Sequence, residues 1–252
     1  QCVPVELITP EWLLSASGSP HIFYIKKLKR VFDIVLALLG LLFFWPFLLF
    51  GMALVKLTSK GPVFYRQTRS GRFGRQFDLF KLRTMQVDAE NGTPVWAASK
   101  DHRIIPGGNF LRNYRIDEIP QLLNVLWGEM SFVGPRPERA KFVEELAEQI
   151  PYYQERLLVQ PGITGWAQVN YPYGASAADA KLKLEYDLYY VKNMSLFLDV
   201  FILLDTVRII LRGGLRQSHL KHLVRHQTDT AWLPATPHKT LARQPTPHLA
   251  EH

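Results

Sequence analysis

The residue types that could do chemistry gather between Arg103 and Asn170, most densely in Arg112-Asn113-Tyr114-Arg115-Ile116-Asp117-Glu118-Ile119-Pro120-Gln121. Here two adjacent carboxylates follow two arginines. Asp beside Glu offers hard oxygen ligands suited to Mg²⁺, and a helix N-terminus with arginines nearby favours anions. The spacing predicts that Asp117 caps a helix carrying Glu118 and Pro120 in its first turn and ending near Gly128. Alone, an Asp ahead of an early proline is an ordinary helix cap. Its company makes the segment a candidate site for a pyrophosphate, with Asp117 and Glu118 as metal ligands.

Two further segments accompany it. Gly134-Pro135-Arg136-Pro137 is a rigid turn that presents one arginine, the side chain best shaped for bidentate phosphate recognition. Pro161-Gly162-Ile163-Thr164-Gly165-Trp166-Ala167-Gln168-Val169-Asn170 places Thr164, Gln168 and Asn170 around a tryptophan. Such a loop serves either as a nucleotide wall or as a plain turn over a buried Trp. Spacing alone decides neither.

The element that must position these residues is an apolar run from Ile34 to Val55, 22 residues without a charge. That is about the length needed to cross a bilayer core of ~30 Å at ~1.5 Å per residue. Lys26, Lys27, Lys29 and Arg30 precede the run, whereas Lys56, Lys60, Arg66, Arg69, Arg72 and Arg75 follow it. Cationic flanks stay on the cytoplasmic side, so both ends want the same side. Pro46 lacks the N–H for the Leu42 carbonyl and crowds that turn, which kinks or breaks the helix. Residues 31–57 therefore read as a re-entrant helix-break-helix, with an ordinary spanning helix as the alternative.

The formal charge of +8 lies largely after the run and points to anionic headgroups or phosphorylated substrates. Cys2 is the sole cysteine, which excludes a disulfide framework and a cysteine-rich metal site. No cleavable signal peptide is visible. The chain opens on Gln1, and its first residues read as the end of something larger. Four regions follow: a lead over 1–20 with a small helix start at Pro10-Glu11-Trp12-Leu13-Leu14, a membrane element over 21–60, a catalytic domain over 61–212 and a disordered tail over 213–252. Six of the eight histidines fall in the tail at spacings that match no compact metal site. The fold class expected is α+β: the membrane element, then a mainly helical catalytic domain with short strands and interfacial amphipathic helices. Val63-Phe64-Tyr65 and Phe77-Asp78-Leu79-Phe80 read as strands around a turn at Ser70-Gly71-Arg72-Phe73-Gly74. From Ser195 to Arg212, Phe197, Val200, Leu203, Leu204, Val207 and Leu211 follow helical spacing, with Asp199, Asp205, Arg208 and Arg212 opposite them. This helix either packs on a core or lies in a membrane interface.

In order along the chain, Gly61-Pro62-Val63-Phe64-Tyr65-Arg66-Gln67, Lys81-Leu82-Arg83-Thr84-Met85, Asp117-Glu118-Ile119-Pro120-Gln121 with Asn124-Val125-Leu126, Met130 through Pro137, and Pro161 through Asn170 resemble the bacterial sugar transferases. More narrowly, residues 26–212 resemble the monotopic phosphoglycosyl transferases that start glycan assembly on polyprenyl phosphate. Residues 1–20 are similar to the linker that follows an N-terminal nucleotide-binding-like domain in larger members. The resemblance implies transfer of a sugar 1-phosphate from a UDP-sugar to undecaprenyl phosphate, with Mg²⁺ and release of UMP. It implies that Asp117 attacks phosphorus to form a phosphosugar-enzyme intermediate and that Glu118 helps hold Mg²⁺. Arg112, Lys81 and Arg69 would contact phosphates, Arg136 with Thr164, Gln168 and Asn170 the nucleotide, and Arg83 and Gln121 within the shared motifs join the substrate-binding set. Asp187, in Tyr186-Asp187-Leu188-Tyr189-Tyr190, matches a family position with a substrate-binding or a structural role. Relatives commonly have serine before the breaking proline, where this chain has Trp45.

The partners implied are a UDP-sugar, undecaprenyl phosphate and the bilayer, at the cytoplasmic face of a bacterial inner membrane; a homo-oligomer is left open. The rival class is a non-catalytic membrane scaffold of a glycan assembly complex, against which the full Asp117, Glu118, Lys81, Arg112 set argues. Nucleic acid is not an expected partner, because the positive charge lacks interleaved aromatics on a recognition element.

Overall fold

The computed structural model describes residues 2–5, 27–87, 89, 102–171 and 176–212. The chain divides into two units, Gln1–Arg216 and Gln217–His252. The small helix start at Pro10 and the polar, histidine-bearing tail expected from 213 lie outside the described residues.

Helix and strand are mixed, as the patterning implies. Helix α1 (Lys29–Thr58) leads into a hairpin of β1 (Phe64–Ser70) and β2 (Gln76–Leu82), antiparallel with Phe64 opposite Leu82 and Ser70 opposite Gln76. Next come α2 (Gly108–Asn113), a 3-10 turn over Ile116–Glu118, and α3 (Gln121–Trp127), closed by Gly128 in the left-handed conformation. Strand β3 (Ser131–Val133) is followed by α4 (Ala140–Gln149) and a 3-10 turn over Tyr153–Leu158. Strand β4 (Gly162–Thr164) pairs in parallel with β3, and α5 (Trp166–Asn170), α6 (Ala177–Asn193) and α7 (Leu196–Leu211) complete the unit.

Helix α1 runs through Pro46 as one helix, which corrects the expectation of two helices separated by a break. Proline deletes one intrahelical hydrogen bond, and a long helix accommodates that loss by bending. Both ends of α1 pack on the same body. Ala37 joins Phe77, Leu79, Val125 and Met130, whereas Val55 joins Leu82, Ile105, Leu111 and Ile116. At Gly51 the helix comes so close to β2 that a Cβ would stand 2.6 Å from Leu82 Cδ1 and displace that side chain. The N-terminal end is fastened by polar groups as well. Asp33 accepts from Ser131 Oγ and the Phe132 amide, both at 3.0 Å, and Arg30 donates to the Val125 and Leu126 carbonyls left open at the end of α3. Between these anchors Leu42, Phe43, Phe44, Trp45, Phe47, Leu49 and Phe50 are all more than half exposed.

Helix α7 packs Ile202, with Leu198, Leu203 and Ile209, against the cluster of Val133, Val159, Val169, Tyr190, Val191 and Met194. Phe197, Leu204, Val207 and Leu211 face outward, whereas Asp199, expected on the polar outer side, is fully buried. The reason is its partners: Lys29 of α1 forms an ion pair with it and the Tyr190 hydroxyl contacts it at 2.6 Å. Helix α6 behaves conventionally, burying Ala180, Leu184 and Leu188 with Val143, Leu146, Ile150 and Tyr153. Val5, far back in the sequence, completes that cluster.

Candidate active site

Asp117 and Glu118 lie in the 3-10 turn over Ile116–Glu118, three and two residues before Pro120, the residue that caps α3. Asp117 is therefore not the cap of that helix. The 3-10 turn intervenes because Arg115 takes the left-handed conformation (φ 58°) and redirects the chain. Both carboxylates point inward and are buried.

Their environments differ. Glu118 Oε1 accepts from Arg136 Nη2 at 2.8 Å and from Arg115 Nη1 at 3.2 Å. Burial acts to raise the Glu118 pKa, but Arg136 and Arg115 outweigh it and hold the group down at about 2. Asp117 Oδ1 has no hydrogen-bond partner. Its pKa is pushed up to about 7, first by burial and then by the charge of Glu118, against the pull of Lys81, Arg115 and Arg112. One carboxylate is thus fixed and ionised, and the other is a buried base in need of a partner.

The cations arrive from separate elements. Lys81 stands on β2 directly opposite Tyr65, with Nζ 5.1 Å from the ring centroid, and burial followed by the neighbouring Arg69 lowers its pKa to about 8. Arg69, on β1, donates to the Pro137 carbonyl at 3.2 Å and lies 3.6 Å from Glu138. Arg112, on α2, donates Nε to Thr84 Oγ1 at 2.8 Å. Arg136 spans Glu118 and Gln168, the latter at 2.9 Å. The turn bearing Arg136 is held against β4 so closely that a Cβ on Gly134 would meet the Gln160 carbonyl at 2.3 Å.

The structure brings Asp117, Glu118, Lys81, Arg69, Arg112, Arg136 and Gln168 together. The other expected residues are held by different partners or by burial. Arg83 donates to the Lys60 and Ser59 carbonyls after α1. Thr164 bonds Thr206 of α7 at 2.7 Å, Asn170 bonds the Trp166 carbonyl within α5, and Gln121 is buried at the start of α3. Asp187 pairs with Arg156 at 2.7 Å, both buried, and Arg156 also donates to the Arg136 carbonyl at 3.0 Å. Sequence reasoning missed Arg156, which has no motif to announce it. It also left Arg115 outside the binding set, although its place beside the dyad was a signal.

Asp117 and Glu118 could hold a hard divalent cation. Mg²⁺ commonly takes one or two carboxylates and fills its other positions with water and substrate phosphate, and Asp117 Oδ1 is a buried oxygen without a partner. Among the described residues no group of three or more His, Cys, Asp or Glu is placed to hold a metal, so such an ion would depend on a phosphorylated ligand.

The carboxylate dyad is ringed by five cationic side chains, an arrangement whose charge favours anionic ligands, on a body that carries a long apolar helix. A family model described as bacterial sugar transferase matches residues 24–213, and the chain belongs to that family. It is 45% identical over 186 residues to a UDP-N-acetylgalactosamine-undecaprenyl-phosphate N-acetylgalactosaminephosphotransferase of Aeromonas hydrophila, covering 74% of this chain and 44% of that protein. It is 44% identical over 191 residues to a UDP-glucose:undecaprenyl-phosphate glucose-1-phosphate transferase of Xanthomonas campestris pv. campestris, covering 74% and 40%. A sugar transferase of Bacillus subtilis described as uncharacterized is 40% identical over 197 residues, covering 76% and 92%. The chain spans less than half the length of the first two relatives.

Proposed function

We propose that this chain transfers a sugar 1-phosphate from a UDP-sugar to undecaprenyl phosphate through a covalent intermediate on Asp117. The carrying observation is the buried, unpartnered Asp117 Oδ1 beside Lys81, Arg112 and Arg115. The Asp117 carboxylate attacks the sugar-bearing phosphorus, the bond to the UMP oxygen breaks, and UMP leaves. An oxygen of undecaprenyl phosphate then attacks the same phosphorus, the Asp117–phosphorus bond breaks, and the carboxylate is restored. Glu118 is unsuited to the attack, because two guanidiniums occupy its oxygen and its low basicity makes it a weak nucleophile. With Asp117 it would hold Mg²⁺. When bound, Mg²⁺ supplies positive charge to the diphosphate. Lys81, Arg69 and Arg112 draw in the phosphates and offset charge that develops during transfer, while Arg136, braced by Gln168, faces the nucleotide. The two relatives named for this activity support the reading.

The acceptor is confined to a bilayer, so the dyad belongs at headgroup level on the cytoplasmic face of a bacterial inner membrane. We read α1 as re-entrant: its ends pack on one body while its middle, apex near Trp45 and Pro46, offers only apolar side chains outward. Phe110 and Tyr114 continue that surface, with Phe110 6.2 Å from Phe50, and the outward stripe of α7 supplies an interfacial helix. Cationic residues on both flanks favour the cytoplasmic side for each end. In a Cys2→Ser background, single cysteines at Lys27 and Lys60 should resist an impermeant thiol reagent in intact cells and react after permeabilisation. Labelling of either one from outside would replace the re-entrant reading of this single helix with a span.

The chemical test uses nanodisc-embedded protein with undecaprenyl phosphate and a panel of UDP-sugars. UMP release that EDTA abolishes is expected with at least one of them. Without lipid, a peptide containing Asp117 should gain the mass of one phosphosugar. Absence of UMP release from every UDP-sugar would favour the non-catalytic scaffold.

A further inference from the structure

Arg115 stands out on two independent grounds. It is one of three non-glycine residues with positive φ among those described (φ 58°), a conformation glycine adopts freely and arginine does not. If only the turn mattered, glycine would serve better there. Its side chain is 49% exposed, and among the described residues its guanidinium has a single partner, Glu118 Oε1 at 3.2 Å. That oxygen already accepts from Arg136 at 2.8 Å.

The two guanidiniums on Glu118 are held unequally. Arg136 is flanked by Pro135 and Pro137, its side chain also reaches Gln168, and Arg156 grips its carbonyl. Arg115 has the longer contact and, although its charge also acts on the neighbouring Asp117, no second hydrogen bond. An anion entering beside Asp117 would offer its guanidinium a stronger partner than an oxygen already shared, since charge-assisted bonds to phosphate are short and bidentate. Arg115 is the group free to turn.

We propose that Arg115 is a further substrate-contacting residue, which holds Glu118 in the free protein and swings to the diphosphate of a nucleoside diphosphate when that ligand binds. This rests on the UDP-sugar reading of the site above. The exchange also frees one side of Glu118 as the ligand arrives, so the dyad is not presented to solvent as a bare pair of carboxylates beforehand.

The experiment measures binding of UDP and of uridine to nanodisc-embedded parent, Arg115→Gly and Arg115→Lys proteins, each in EDTA and with Mg²⁺. Glycine preserves the left-handed backbone, so Arg115→Gly should fold with an unchanged or higher Tm. UDP affinity should fall about 10-fold or more in Arg115→Gly, with partial recovery in Arg115→Lys, and uridine affinity should not change. The loss should appear in EDTA too, because the contact is with phosphate. A loss seen only with Mg²⁺ would mean that Arg115 merely braces Glu118 and would overturn the proposal. Equal losses for UDP and uridine would overturn it likewise. If the parent binds UDP and Arg115→Gly binds it as well, this inference alone fails; if the parent does not bind UDP, the reading on which it rests fails with it.

Discussion

Asp187 and Asp117 are both buried carboxylates tied to Arg136, the first through Arg156 and the second through its neighbour Glu118. Around Asp187 the arrangement is closed. Arg156 spends Nε and Nη2 on Asp187, Nη1 on the Tyr153 hydroxyl, and a further Nη2 contact on the Arg136 carbonyl. Around Asp117 it is open, with one oxygen unpartnered and cations arranged at its rim. Burial raises the pKa of both, but only Asp187 has a guanidinium bound directly to it. The difference separates a carboxylate that holds a loop in place from one kept available for reaction.

The largest effect expected from breaking this comparison is on turnover. Asp117→Asn should reduce UMP release by about 10⁴-fold or more, since the amide keeps the shape and removes the nucleophile. The same variant should be more stable than the parent. A raised folded-state pKa contributes stability below the unfolded value near 4 that is lost as pH rises through about 7. The gain in Asp117→Asn should therefore grow between about pH 4 and pH 7 and then level off, at roughly 2–4 kcal/mol. Thermal melts across that range would check it, and a variant less stable than the parent at pH 8 would contradict the open-site description.

Asp187→Ala should do the reverse. Removing one partner of a buried ion pair strands the Arg156 charge and costs about 3–5 kcal/mol. Turnover per folded molecule should fall less than about tenfold, because Asp187 acts on Arg136 only through Arg156. Pairing Asp187→Leu with Arg156→Met should recover part of the lost stability, as replacing both charges often does. A Km for UDP-sugar that rises in the double variant while Tm recovers would mark the pair as positioning Arg136. Unchanged kinetics with recovered Tm would reduce it to a packing element.

How much of this was legible beforehand follows from the range over which each feature is encoded. The β1–β2 hairpin and the end of α3 at Gly128 were readable because turn residues act locally. The dyad was readable for the same reason, its carboxylates being adjacent in sequence. The cap position of Asp117 was misjudged, since only the left-handed turn at Arg115 shows that a 3-10 segment precedes α3. Arg156 and Asp187 lie 31 residues apart and meet across two elements, which no spacing rule reveals. Periodicity grouped Asp199 with Arg208 and Arg212 on one face of α7, but Asp199 is buried whereas both arginines are exposed. Asp199 is drawn inward by Lys29 of α1, 170 residues away, and by Tyr190 near the end of α6, nine residues before it.

The smallest effect expected, a few-fold change, concerns the pH profile of the open site. The acid limb of kcat/Km belongs to the dyad, with the shared proton resting on Asp117, so activity should rise as pH increases through about 7. Lys81 sets the opposite limb. Burial lowers its pKa to about 8, and the cation that draws in phosphate is lost above that point. The result is a narrow bell between the two values. Lys81→Arg should remove the alkaline fall, because a guanidinium stays charged throughout the working range. The profile of kcat should be broader than that of kcat/Km, since bound diphosphate stabilises the Lys81 ammonium and raises its pKa in the complex. If Lys81→Arg left the alkaline limb in place, the fall would belong to another group, and the rim of the open site would owe its charge to the arginines alone.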